Sequence, residues 1–220
     1  AADYFRKHGV YTFAKEGTEE YKSFWRTETK RRKHGLVRNC KLYFKDFEEY
    51  YSTNTTEERK KELLQPLRIT GDHYNFLNYS RIKRSRTPEE KKKVSSTLRA
   101  TKISDFPLFV DGQYWDHKVD EFCLLNGFNI CESKARRKGF TYMKAARTAN
   151  ITNLYKDSII INAAYDSGFL TDDGAINSFV KTNLDWYEEH TYWKRGFVSE
   201  QLDGIKLGFK KQKHGNKIFG

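Results

Sequence analysis

Residues 128–143, Phe-Asn-Ile-Cys-Glu-Ser-Lys-Ala-Arg-Arg-Lys-Gly-Phe-Thr-Tyr-Met, constrain this chain more than any other stretch. They read as a short apolar strand over 128–132, a basic loop with one glycine, and the start of a helix. A chain that turns through cations into a helix presents backbone N–H donors and the positive end of the helix dipole, which together suit a polyphosphate. The usual phosphate loop is Gly, four residues, then Gly-Lys-Ser/Thr. Here Lys134 stands at the first glycine position, Gly139 at the second, Phe140 at the lysine position and Thr141 at the hydroxyl position. Gly139 allows close backbone approach because it lacks a Cβ. Thr141 falls where such a loop places its Mg²⁺-binding hydroxyl. Lys134, Arg136, Arg137 and Lys138 crowd the loop. A flexible lysine at its start has the reach for a β- or γ-phosphate, and arginines add bidentate contacts. On the residues alone, a basic strand-to-helix turn on a nucleic-acid face is the alternative.

Charge points the same way. The 220 residues carry 41 Lys+Arg against 29 Asp+Glu, a net charge of +12, which favours a polyanionic partner: nucleic acid or nucleotide, or an anionic membrane surface. No apolar run approaches the roughly 20 residues of a bilayer span. The start, Ala-Ala-Asp-Tyr-Phe-Arg-Lys, has no apolar signal-peptide core. Cys40, Cys123 and Cys131 form no CxxC pair and suit a reducing compartment. Six scattered histidines show no zinc-ligand spacing. Aromatic residues make up 15% of the chain, enough for a real core despite a mean hydropathy of -0.86, although some rings are of the kind that stack on bases.

Residues 17–34 predict an amphipathic helix ending in Lys30-Arg31-Arg32-Lys33-His34 and stopped by Gly35. That run reads either as a solvated helix end or as a phosphate contact. A second helix is expected over Leu42–Tyr51, and a third from Thr55-Thr56-Glu57-Glu58 to Leu64, stopped by Pro66. Residues 68–82 read as extended around a Gly71-Asp72 turn, and the charge-dense 83–104 as a linker or mobile loop. A helix through Val119, Phe122 and Leu125 to Gly127 precedes the strand and loop, and a helix runs from Gly139 to about Asn150. Ser158–Ala164 reads as a core strand, and a last helix runs from Thr171 to about His190. Alternating strands and helices argue for an α/β fold. The chain divides into a mostly helical N-terminal appendage (1–64), an extended segment with a basic linker (65–104), and a sheet-bearing domain (105–220).

The run Lys134-Ala135-Arg136-Arg137-Lys138-Gly139-Phe140-Thr141 resembles the displaced phosphate loop of the large terminase subunit, the ATPase that packages DNA into tailed bacteriophage heads. Ile69-Thr-Gly-Asp-His-Tyr-Asn-Phe-Leu-Asn-Tyr79 is similar to the extended segment before the ATPase core in one branch of that family. Asp111-Gly-Gln113-Tyr114-Trp115 resembles its upstream adenine-contacting segment. The resemblance covers most of residues 65–220. It implies a P-loop-type sheet flanked by helices, with ATP and Mg²⁺ as ligands. It further implies Lys134 as the phosphate lysine, Arg137 as a γ-phosphate sensor and Thr141 as the Mg²⁺ ligand. Ala135, Arg136, Lys138, Gly139, Phe140 and Tyr142 would complete the loop, and Gln113 and Tyr114 would contact adenine. Lys118 and Lys144 read as solvated helix lysines.

Double-stranded DNA, a portal and a small terminase subunit are the partners the resemblance implies, with a homo-oligomeric motor in the host cytoplasm. The acid that positions water is missing from the expected place. Ile159-Ile-Ile-Asn-Ala-Ala-Tyr-Asp166 is the nearest approach, and the resemblance puts the acidic pair and a nuclease domain beyond Gly220. The chain is therefore expected to hold the nucleotide-binding part of an ATPase. The competing expectation is a non-enzymatic nucleic-acid-binding module with a P-loop-like turn.

Overall fold

The computed structural model describes residues 5, 8–40, 44–98, 101–133, 139–163, 168–171, 175–194, 198–201, 204–207 and 216–219. The first long helix, α1 (Glu19–His34), starts where the Thr18 side chain accepts the Tyr21 backbone N–H at 3.3 Å, with Glu19 and Glu20 in its first turn and cations in its last. Gly35 ends it at φ +83°, where a Cβ would lie 2.1 Å from the Ile69 carbonyl oxygen. Only glycine fits that approach.

Strand β1 (Leu36–Cys40) then pairs antiparallel with β2 (Gln65–Ile69), Leu36 opposite Ile69. Between them lie α2 (Phe44–Tyr51) and α3 (Glu57–Glu62), the latter capped by Thr56. Helix α4 (Gly71–Tyr79) follows, then a ribbon of β3 (Ile82–Ser85) and β4 (Lys102–Asp105) enclosing the short helix α5 (Pro88–Lys92) and a 3₁₀ turn at Ser96–Leu98. Helices α6 (Asp111–Asn126) and α7 (Phe140–Leu154) flank the basic loop. Strand β5 (Ile159–Ile161), α8 (Gly168–Thr171) and α9 (Ile176–His190) lead to β6 (Val198–Gln201), β7 (Gly204–Leu207) and β8 (Asn216–Phe219). These last strands and β5 form a sheet in the order β5-β8-β7-β6, parallel only between β5 and β8.

The chain is thus a mix of helices and small, mainly antiparallel sheets, and no P-loop-type sheet is seen among the described residues. Residues 71–79 are helical, not extended. Thr70 caps them by accepting the His73 N–H, and six of the nine residues are buried, so the apolar pattern has no polar face to show its helical period. The stretch 83–104 is built rather than a bare linker: its strands pair from Ile82 opposite Asp105 to Ser85 opposite Lys102. Residues 128–132 have no strand partner among the described residues, and Phe128 is well exposed. The expected core strand 158–164 shrinks to three residues, of which Ile159 and Ile161 face outward. No helix among the described residues is long and apolar enough to cross a membrane.

At the centre sits Arg32, 1% exposed. The basic run that reads as solvent-facing or phosphate-binding sends this one side chain inward. Its Nε donates to Asn75 Oδ1 and Asn150 Oδ1, and Nη1 donates to Asn153 Oδ1, each at 3.0 Å. The guanidinium carbon lies 3.9 Å from the Trp193 ring centroid and 4.6 Å from that of Tyr187. One turn earlier, buried Glu28 accepts from Tyr74 and Tyr79 hydroxyls, both at 2.6 Å, and from Arg31. A buried cation is tolerated only with partners of this kind. Around it pack Trp25, Tyr74, Ala145, Ala149, Phe179, Val180 and Leu184. Replacing Arg32 with Met strips the donor from three buried amides at roughly constant length. We expect a loss of about 3 kcal/mol or more in urea unfolding followed by tryptophan fluorescence, and a loss below about 1 kcal/mol contradicts the keystone role.

Candidate functional site

Gly139 opens α7 with φ +77°, a left-handed conformation that other residues adopt at a cost, and no side chain caps this helix end. Directly beside it is Gln113 of the first turn of α6: a Cβ built on Gly139 would lie 2.9 Å from the Gln113 side-chain nitrogen. Two segments 26 positions apart in sequence, each notable for a separate reason, therefore meet at one point. Phe140, Thr141, Lys144, Arg147, Thr148 and Ile151 form one side of α7 and one wall of a cleft of about 580 Å³. Ile160 and Ile161 of β5 stand on the other wall, with Leu170 and Ile176. The volume falls within the range of small-molecule sites.

Lys134, Ala135, Arg136, Arg137 and Lys138 lie outside the described residues, as does Asp166. Tyr142 points away from the cleft: its ring packs on Phe179 at 4.1 Å, and its hydroxyl bonds the Lys83 backbone N–H and carbonyl, both at 3.2 Å. Tyr114 is buried, its ring against His73 and Phe109, so stacking on a base requires an exposure it lacks here.

Lys144 is not a solvated helix lysine. Its ammonium lies 2.7 Å from Asp120 Oδ2, 2.8 Å from Glu132 Oε1 and 3.8 Å from Asp116 Oδ2. Arg147 adds a contact of 2.7 Å to Asp120 and one of 3.4 Å to Asp72, whose other oxygen accepts from Asn150 at 2.8 Å. Burial pushes the Asp72 and Asp116 carboxyls above their usual range. Burial acts on Asp120 in the same sense, but Lys144 and Arg147 outweigh it and hold that carboxyl low. Lys144 in turn is raised, its two carboxylate bonds exceeding the burial penalty. Oxygens of Asp116, Asp120 and Glu132 lie within 4.8 Å of one another, close enough for a metal ion, but the Lys144 ammonium already serves as their cation. The sequence signal lies in the i,i+4 acids on α6 and the i,i+3 cations on α7, a spacing that brings each pair to one helix face.

A scan against protein-family models finds no match, and searches of the curated proteins and of the solved structures find none either. Any functional reading of this chain therefore stands on its own residues.

Behind Gln113, two imidazoles bind α4 to α6. His73 and His117 stack with centroids 4.8 Å apart and planes 17° from parallel, both essentially inaccessible to water. None of their four ring nitrogens has a hydrogen-bond partner. Burial alone lowers His73 to about 4. His117 falls to about 3, through burial first and then the neighbouring His73. Both folded-state values lie below the unfolded one, so the unfolded chain takes up protons first as pH falls. Stability is complete above about pH 6.5 and is lost progressively towards pH 4, by roughly 3 kcal/mol for His73 alone. Chemical unfolding across this window checks the prediction, with His73→Phe expected to flatten the curve. An unchanged pH profile in that variant contradicts it.

Proposed function

We propose that this chain is the nucleotide-binding part of a DNA-packaging ATPase of the large terminase type. The observation that supports this most strongly is the approach of Gln113 to Gly139. A base-contacting segment and a phosphate-cradling turn belong at one ligand, and here the start of α6 adjoins Gly139 without a linking sequence motif. In this reading Gln113 contacts the adenine edge, and Gly139 and Phe140 admit the polyphosphate to the start of α7. Lys134 and Arg137 meet the β- and γ-phosphates, while Ala135, Arg136 and Lys138 carry the rest of the loop. The Thr141 hydroxyl, on the cleft wall beside Lys144 and Arg147, is the group assigned to Mg²⁺. Mg²⁺ would supply charge neutralisation between the phosphates. Asp116, Asp120 and Glu132 fit that ion poorly because Lys144 already engages them. The P-loop-type sheet, the partners and the oligomeric motor in the host cytoplasm belong to the same proposal.

Tyr142 enters it as a support for the loop helix rather than as a ligand contact, given its bonds to Lys83. Tyr114 likewise backs Gln113 from inside the core. The alternative, a non-enzymatic nucleic-acid-binding module, draws on the lack of a paired strand at 128–132 among the described residues.

The two readings separate in a titration of the full chain with a fluorescent ATP analogue and Mg²⁺. We expect saturable binding that Lys134→Ala weakens at least about tenfold, the loss of one charge-assisted phosphate contact. Binding indifferent to Lys134→Ala, or no binding at all, favours the module.

A further inference from the structure

The β3–β4 ribbon sorts its charges by face. On its packed side Arg84 gathers the acids: it forms two parallel bonds to Glu90, both 2.8 Å, and reaches Asp105 Oδ2 through Nε at 2.9 Å. Glu90 is fixed further by the Thr87 capping box that starts α5. On the other side the burial alternation of the strands leaves Lys83, Ser85, Lys102 and Ser104 exposed. In the register, Lys83 stands opposite Ser104, and Ser85 opposite Lys102. Lysine and serine therefore alternate across and along this face, and no carboxylate interrupts them.

Past the end of the ribbon, α5 and the residue after it expose Lys91, Lys92 and Lys93. Setting aside the Arg84 cluster, the described part of 82–105 holds six cations (Lys83, Arg86, Lys91, Lys92, Lys93, Lys102) against the single acid Glu89, a net charge of +5. A surface of exposed lysines interleaved with serines is complementary to a row of phosphate oxygens.

We propose that this ribbon, with α5 at its tip, is the surface that grips the phosphate backbone of double-stranded DNA. The proposal deepens the packaging-motor reading by naming where DNA meets the chain, and it rests on that reading for the choice of a duplex. Shape agrees with charge, since a two-stranded ribbon is narrow enough to lie along a groove of B-DNA. An anionic bilayer is the other polyanion, but the strand face carries no apolar side chain to enter one, and between the strands Leu98 is the one exposed large apolar residue among the described residues. The ribbon is also fastened to the candidate nucleotide site. Tyr142, the residue after Thr141, holds the Lys83 backbone through both its N–H and its carbonyl. These bonds link the first turn of α7 to the first lysine of the ribbon.

The test is fluorescence anisotropy of the full chain with a labelled duplex of mixed sequence, run over a series of KCl concentrations and without nucleotide. Each lysine that meets a phosphate adds close to one to the slope of log K against log[salt]. We expect Lys83→Gln with Lys102→Gln to lower the slope by about two. The further changes Lys91→Gln, Lys92→Gln and Lys93→Gln should weaken binding at least about tenfold. Lys83→Arg with Lys102→Arg should keep parental affinity, which ties the loss to charge, and the Gln variants should keep the parental circular dichroism spectrum. Lys156→Gln with Lys181→Gln, elsewhere on the surface, should leave it unchanged. The proposal falls if the parent chain binds no duplex, or if ribbon variants keep parental affinity and slope. It also falls if they lose only binding to phosphatidylserine vesicles. Because no nucleotide is present, failure of ATP binding leaves this result untouched, and the two claims fail separately.

Discussion

The buried guanidinium of Arg32 is the interaction on which the rest of the structure depends. It reaches in from α1, collects an amide from α4 and two from α7, and stacks on rings carried by α9 and the segment after it. Those amides are themselves spoken for: Asn75 also accepts the Tyr187 hydroxyl at 2.9 Å, and Asn153 donates to the Trp193 carbonyl at 2.9 Å. A cation held by neutral amides and aromatic faces tolerates little rearrangement, because a lost bond leaves a polar group in a dry core. Four separate segments are thereby fixed at one point, and hydrophobic packing fills in around it.

That fixation decides what α7 can present. Asn150 and Asn153 point towards Arg32, which sets the rotation of the helix about its axis. Ala145, Ala146 and Ala149 are fully buried against neighbouring helices, where a larger residue would hold them apart. Thr141, Lys144 and Arg147 are left for the cleft and for the acids of α6. The Lys144 and Arg147 bonds to Asp120 then hold α6 against α7 at the height that brings Gln113 to Gly139. The core thus reaches the candidate site through two helices rather than through the loop itself.

Local signals are legible in the amino-acid sequence alone. Thr56, Gly35 and Gly127 mark helix ends because capping needs only neighbouring residues; α6 ends and α7 begins where expected, whereas Asp111–Trp115, read as lying ahead of the helical pattern, form the first turn of α6. Features that depend on distant partners are not legible in that way. Helix α4 looks extended because it is buried on nearly every side. The 82–105 ribbon looks like a linker because its strands are held by pairing and by Arg84, not by apolar alternation. Arg32 and Lys144 are invisible inside ordinary basic patterns, since nothing in a sequence marks which lysine or arginine finds buried partners. In the candidate site, Gln113 and Gly139 are each readable, and their meeting is not. Position in a motif assigns Tyr142 and Tyr114 to the ligand, whereas packing against Phe179 and His73 decides where their rings lie.

The starts of α6 and α7 are proposed to form one ligand site. Hydrogen–deuterium exchange of the full chain with and without ATP and Mg²⁺ tests it most directly, because protection is read peptide by peptide and needs no variant. ATP is expected to slow exchange in peptides covering both 111–117 and 134–143, while β1 and β2 stay unchanged. Protection of only one of the two segments, or of neither, would contradict it.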